Sequence, residues 1–271
     1  MLSNRWCNML LSPLKSPDGF VCASYLKELI SPIKPIRAFL SFSGEVELAL
    51  LADNRDVIIN TNNYVIYEFW SCFSADPVRI SDQAQALHSR TIPGMIKTYQ
   101  KDWPGVRDPY LRSAIFFLLN RYSESGTLSY GTTSMGNYSP MCLNNLRRCD
   151  ESVTQIKIIY HKTEDYLEGI DECPSDGVAL LMAGQFNGGP LGRRLHSGHE
   201  TYNINHRDLK KRLLASEKDF VLVYKAHHSL LHLYKGYTII LLNKFGKVTN
   251  NIGIAEDMII TTLKVPVSHD T

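Results

Sequence analysis

The sequence predicts an α/β fold built on a central, mostly parallel sheet, and three observations point there. Short β-branched apolar runs recur along the chain. Helical patterns separate some of them. The earliest runs are apolar almost without a break, as strands covered on both faces are.

Taken in order, "PIRAFL" (35–40) and "DVIIN" (56–60) are the first two expected strands. From Tyr64 to Asp150 no strong strand pattern appears and helix signals dominate. The best is "DPYLRSAIFFLLNRY" (108–122), where Asp108 is an apt N-cap and Pro109 an apt first helical residue. Leu111, Ala114, Ile115, Leu118, Leu119 and Tyr122 then form one apolar stripe. The Ser-, Thr- and Gly-rich "SESGTLSYGTTSMGNYSP" (123–140) reads as a long loop or a hairpin. Strands resume with "IKIIY" (156–160), "VALLM" (178–182), "DFVLVY" (219–224), "YTIILL" (237–242) and "DMIITTL" (257–263), and "RDLKKRLLAS" (207–216) reads as a helix with a polar face. The last two strands are joined by a segment too short for a helical crossover, which predicts an antiparallel pair at the sheet's end. The expected organisation is a core of residues 1–63 and 151–271 with a helical insertion over 64–150.

The chain has 271 residues, 44% of them hydrophobic and 21% charged, with a formal net charge of +2. This composition excludes general disorder and leaves no strong whole-chain field. Nucleic-acid binding therefore requires a local patch. The six cysteines form no C-x-x-C pair and no zinc spacing, which points to reduced, mostly buried thiols. The apolar run Met9 to Leu11 is too short for a leader and Pro13 ends it; no run approaches the ~20 residues of a membrane helix. A soluble cytoplasmic protein in a reducing compartment, with no membrane partner, is the expectation.

The stretch "VALLMAGQFN" (178–187) poses the functional question. The loop leaving a strand's carboxyl end is where chemistry sits in an open α/β sheet. This one holds no acid, base, nucleophile or metal ligand.

Several pieces, in collinear order, resemble the DNA adenine methylase (Dam-like) family, S-adenosylmethionine-dependent enzymes that methylate the exocyclic amine of adenine. "SPLKSPDGF" (12–20) is similar to the family's opening Pro-Leu-Lys/Arg-x-Pro-Gly-Gly-Lys, and "AFLSFSGEVEL" (38–48) to its first strand and glycine loop, Pro-Phe-x-Gly-x-Gly. "IINTNNYVIYEFWSCFSADPVRI" (58–80) resembles Asn-Asp-Ile-Asn, the helix after it and an acidic-Pro turn. "DPYLRSAIFFLLNRYSESGTL" (108–128) resembles the helix ending in Asn-Arg-x-x-Phe-Asn-Gly-Leu. "HRDLKKRLLASEKDFVLVY" (206–224), "LYKGYTIILL" (233–242) and "GKVTNNIGIAEDMIITTL" (246–263) resemble its C-terminal part. The resemblance implies a Rossmann-like class I methyltransferase fold whose insertion reads DNA.

It also implies what is missing. In the family the strand's end carries Asp-Pro-Pro-Tyr, which accepts the adenine N–H groups and stacks on the flipped base. Here that place falls on Met182, Ala183, Gly184, Gln185 and Phe186; Phe186 can stack, but a neutral Gln185 is a weaker acceptor than a carboxylate. Pro17, Gly19, Phe42 and Gly44 remain as a vestigial cofactor set, while Asp18, Phe20, Ser41 and Val46 replace family residues. Thr61 stands where an acid grips the cofactor ribose, and Lys162 or Thr163 where an acid contacts its adenine, with Asp165 nearby. Losses in five separate motifs with the apolar scaffold retained point to erosion of catalysis. For DNA, Asn120, Arg121 and Gly126 match the family, but Glu124 and Ser125 stand in place of its Phe-Asn.

Two further basic clusters hold Arg147 and Arg148, and Arg193, Arg194, His196 and His199 in a Gly-rich loop suited to a phosphate backbone. "HSGHE" (196–200) and the pair His228 and His232 do not make a metal site. The expected function is a catalytically inactive homologue that binds DNA or serves as an accessory or scaffold subunit with a protein partner, an active methyltransferase being one candidate, with no cofactor, or S-adenosylmethionine where binding survives. The alternative is a divergent active S-adenosylmethionine-dependent DNA methyltransferase.

Overall fold

The computed structural model describes residues 12–16, 18–39, 42–124, 126, 128, 132–147, 156–161, 170–186 and 205–265. The strands β1 (Ile36–Phe39), β2 (Val57–Thr61), β3 (Lys157–Tyr160), β4 (Val178–Gly184), β5 (Asp219–Lys225), β6 (Thr238–Asn243), β7 (Val248–Thr249) and β8 (Ala255–Thr261) form one sheet in the order β3-β2-β1-β4-β5-β8-β6-β7. The first five run parallel, and β8, β6 and β7 pair antiparallel. The expected antiparallel pair is therefore β6 with β8. The short β7, with no signal in the sequence, lines the edge of β6 beside them.

Helices cover both faces. α1 (Ala23–Leu29), α2 (Glu45–Leu51), α3 (Tyr64–Ala75), α4 (Pro77–Arg90), α5 (Pro93–Asp102), α6 (Pro109–Tyr122) and α7 (Met141–Arg147) precede β3 in the chain. α8 (His206–Ser216) leads into β5, and α9 (His228–Leu233) joins β5 to β6. Alternation along β4 divides the core. Val178, Leu180 and Met182 face the cluster that also buries Trp70 and Phe116, whereas Ala179, Leu181 and Ala183 face Leu209 and Leu213 of α8. All seven residues of β4 are buried, as a central parallel strand requires. The early strands are not all covered in this way. β3 is an edge strand, Lys157 on it is exposed, and its apolar run owes its partial exposure to that position.

α6 starts where the sequence places it, at Asp108 and Pro109, and side-chain caps also open α3 and α4. Asn63 accepts from the Val65 and Ile66 amides, Asp76 precedes Pro77 and accepts from Arg79, and Asp108 precedes Pro109 and accepts from Tyr110 and Leu111. After α6, Ser123 pairs with Thr133 in an antiparallel bridge. Among the described residues no helix is long and apolar enough to cross a membrane.

Candidate functional site

In a doubly wound sheet the ligand crevice lies outside the carboxyl ends of the strands, at the point where strand order reverses. Here that point is between β1 and β4: the chain runs outward through β2 and β3 and then returns. Three segments converge on it: residues 12–16 with 18–21, the turn 42–47 and the end of β4.

The turn after β1 is shaped by packing from within. Gly44 is left-handed (φ 65°) and caps α2, and a Cβ there would lie 2.7 Å from the Trp70 ring. Trp70 is fully buried and donates to the Phe42 carbonyl at 3.4 Å. Phe42 and Gly44 thus seat the Trp70 indole, and Val46 is buried in the same core.

The end of β4 meets an acid that its own sequence lacks. Gly184 is left-handed (φ 66°), and a Cβ on it would lie 2.7 Å from Asp18 Oδ2. The carboxylate absent from 182–186 is brought there by the opening segment. Ser16 Oγ accepts from the Gly19 amide (3.0 Å), Glu45 accepts from Phe20 (2.9 Å), and Asp257 accepts from Val21 (2.6 Å). Lys225 ties this together by donating to Asp257 Oδ1 (2.7 Å) and the Gly19 carbonyl (3.1 Å). Burial pushes the Glu45 carboxyl above its ordinary range; the Phe20 amide and Ser16 pull it down, and nearby Asp257 and Asp18 add to the rise. The space left among Ser16, Asp18, Phe20, Phe42, Gly44, Glu45, Val46, Glu47 and Met182 is about 20 Å³, room for roughly one water.

The matched residues of α6 have internal partners. Asn120 is fully buried; its Oδ1 accepts from the Lys15 amide (2.7 Å) and its Nδ2 donates to the carbonyls of Lys15 (3.0 Å) and Gly126 (2.8 Å). Arg121 Nε donates to Pro13 O (2.7 Å) and its Nη2 to Ser12 O (3.2 Å). Burial lowers the guanidinium's pKa. These residues fasten the opening segment to α6. Arg147 is exposed but meets Asp82 and Gln85 at 2.8 Å. Thr61 is buried, with Oγ1 accepting from the Asn63 amide (3.0 Å), and His161 beside it meets Asn60 Oδ1 at 2.9 Å.

Phe186 sits in an aromatic cluster at the ends of β4 and β5. Its ring is 4.5 Å from His206, 5.1 Å from His227 and 6.2 Å from Tyr224. His206 Nδ1 meets the Tyr224 hydroxyl at 2.7 Å, and burial pushes the imidazole down to about 4, so it is neutral at pH 7. Gln185 is exposed beside it. His228 and His232 lie on α9, both exposed, and among the described residues no group of three or more His, Cys, Asp or Glu is placed to hold a metal ion. Pro17, Arg148, Lys162, Thr163, Asp165, Arg193, Arg194, His196 and His199 lie outside the described residues.

The Asp18–Gly184 approach and the Trp70–Gly44 seat had no signal in the sequence, since each joins segments far apart along the chain. The Asn-Arg pair had a signal, but its main-chain partners carry none. No protein-family model matches this chain, and no curated protein matches it either.

Proposed function

We propose that this chain is a methyltransferase-like protein that does not transfer methyl groups and acts as a binding subunit, holding DNA as an accessory to an active methyltransferase. The parallel half of the sheet, with its switch point between β1 and β4, is compatible with a Rossmann-like methyltransferase scaffold. The opening segment and the Asn120–Arg121 helix end, two separate pieces of the resemblance, also meet in space.

The observation that supports the reading most is how little space the described crevice residues leave among them. Small-molecule sites occupy roughly 300–1,000 Å³, against about 20 Å³ here. Phe20, Phe42, Val46 and Met182 line that space, and Asp18 closes on Gly184 where a ligand would lie against bare backbone. S-adenosylmethionine does not fit these residues, so no chemical step is assigned to it. Incubation with labelled S-adenosylmethionine and adenine-containing DNA tests the proposal: no incorporation above background is expected, and methylation through many turnovers would end it.

One observation favours the alternative of a divergent active enzyme. Asp18 restores an anionic oxygen beside the end of β4. Under that alternative Asp18→Asn abolishes a measurable methylation; under the proposed reading there is no activity for it to abolish.

A further inference from the structure

The residues that the resemblance assigns to DNA are spent inside the protein, which directs attention to what the same edge of the sheet offers outward. β6 runs antiparallel to β8, and β8 antiparallel to β5, so β6 ends at the carboxyl edge together with β1, β4 and β5. The turn that follows it, Asn243 to Val248, sits beside the opening segment: a Cβ on Gly246 would lie 2.8 Å from the Val21 carbonyl.

Asn243 holds this turn rigid. Its carbonyl accepts from the Gly246 amide (2.8 Å), its side chain accepts from the amides of Phe245 (2.9 Å) and Lys247 (3.2 Å), and its own amide donates to Lys247 O (2.9 Å). At the tip Phe245 is 73% exposed, and Lys244 Nζ stands 5.0 Å from its ring centre. Lys244 and Lys247 are exposed. From Ala226 to Ala255 the chain has three lysines and no acid, and the next acids, Glu256 and Asp257, both face Lys225. A rigid aromatic between two cations, neither of which forms an ion pair among the described residues, matches the makeup of a surface for unpaired bases and their phosphates.

We propose that the Lys244–Lys247 turn is a contact for single-stranded DNA, with Phe245 stacking on a base and Lys244 and Lys247 facing the flanking phosphates. The choice of DNA rests on the binding role proposed above; the choice of this turn rests on its own geometry. Fluorescence anisotropy of the full chain with a labelled oligothymidylate of roughly 20 nucleotides tests both. Wild type binds, Phe245→Ala weakens binding about 5- to 150-fold, as loss of one stacked base at roughly 1–3 kcal/mol gives, and Phe245→Tyr restores it. Lys244→Gln with Lys247→Gln lowers the salt slope by about 1.4, at roughly 0.7 per single-strand phosphate.

If wild type binds and these variants bind equally well with the same slope, the turn is overturned while the DNA role stands. If wild type binds neither this oligonucleotide nor duplex DNA at low salt, the DNA role falls and the turn with it. Tighter binding to phosphatidylserine vesicles than to oligothymidylate, lost in the same variants, assigns the turn to a lipid surface and overturns the proposal.

Discussion

Asn120 spends its side-chain oxygen and its amide group on the main chain of Lys15 and Gly126. Asn120→Ala leaves two carbonyls and an amide short of partners, so a loss of about 2–4 kcal/mol is expected, read as a shift in the urea midpoint. An unchanged midpoint would contradict the clamp.

His206 gives a pH signature. Its folded pKa of about 4 lies below the ordinary 6.5 because it is buried. Between those values the unfolded chain takes up a proton that the folded chain refuses. The stabilising contribution is therefore complete above about pH 6.5 and declines as pH falls toward 4. In NMR titration the His206 ring should stay neutral at pH 5.5, and a midpoint near 6.5 would refute its burial. The identities of these residues were plain in the sequence. Their roles were not, because an asparagine that reads a base and one that braces a carbonyl look the same on the page, and neutrality of an imidazole depends on the tyrosine and phenylalanine folded around it.

At the scale of elements the sequence was most informative where local chemistry decides. Alternation and β-branching located seven of the strands, and the Asp108-Pro109 pair marked the start of α6. β7 escaped because two residues carry no period. The opening segment escaped for another reason. It has no regular structure, and it is held by Glu45, Asn120, Arg121 and Asp257, the last 236 residues from its partner Val21. Asp257 is wholly buried and paired with Lys225. Asp257→Ala should cost about 1–3 kcal/mol, since it takes the acceptor from the Val21 amide and leaves Lys225 with Glu256 and the Gly19 carbonyl alone, and should speed hydrogen exchange at Val21 more than at β4 amides. Equal effects at both places would show that Asp257 serves global stability alone.

For the whole molecule, the division into a core and a 64–150 insertion describes chain order better than packing. Trp70, Phe73 and Phe116 of the insertion share one continuous core with Ile36, Leu180 and Val223 of the sheet. Heating should therefore unfold the chain in a single transition, with calorimetric and van't Hoff enthalpies in agreement; two separate transitions would contradict the shared core.

On the proposed reading the same packing closes the crevice, since the Trp70 indole lies against Gly44 in the turn after β1. Binding of S-adenosylmethionine to the full chain, followed by thermal shift with calorimetry, tests that closure most directly. No saturable heat and no change in melting temperature are predicted up to millimolar ligand. A saturable isotherm, with stabilisation rising toward ~2.7 kcal/mol at a hundred times the dissociation constant, would contradict it.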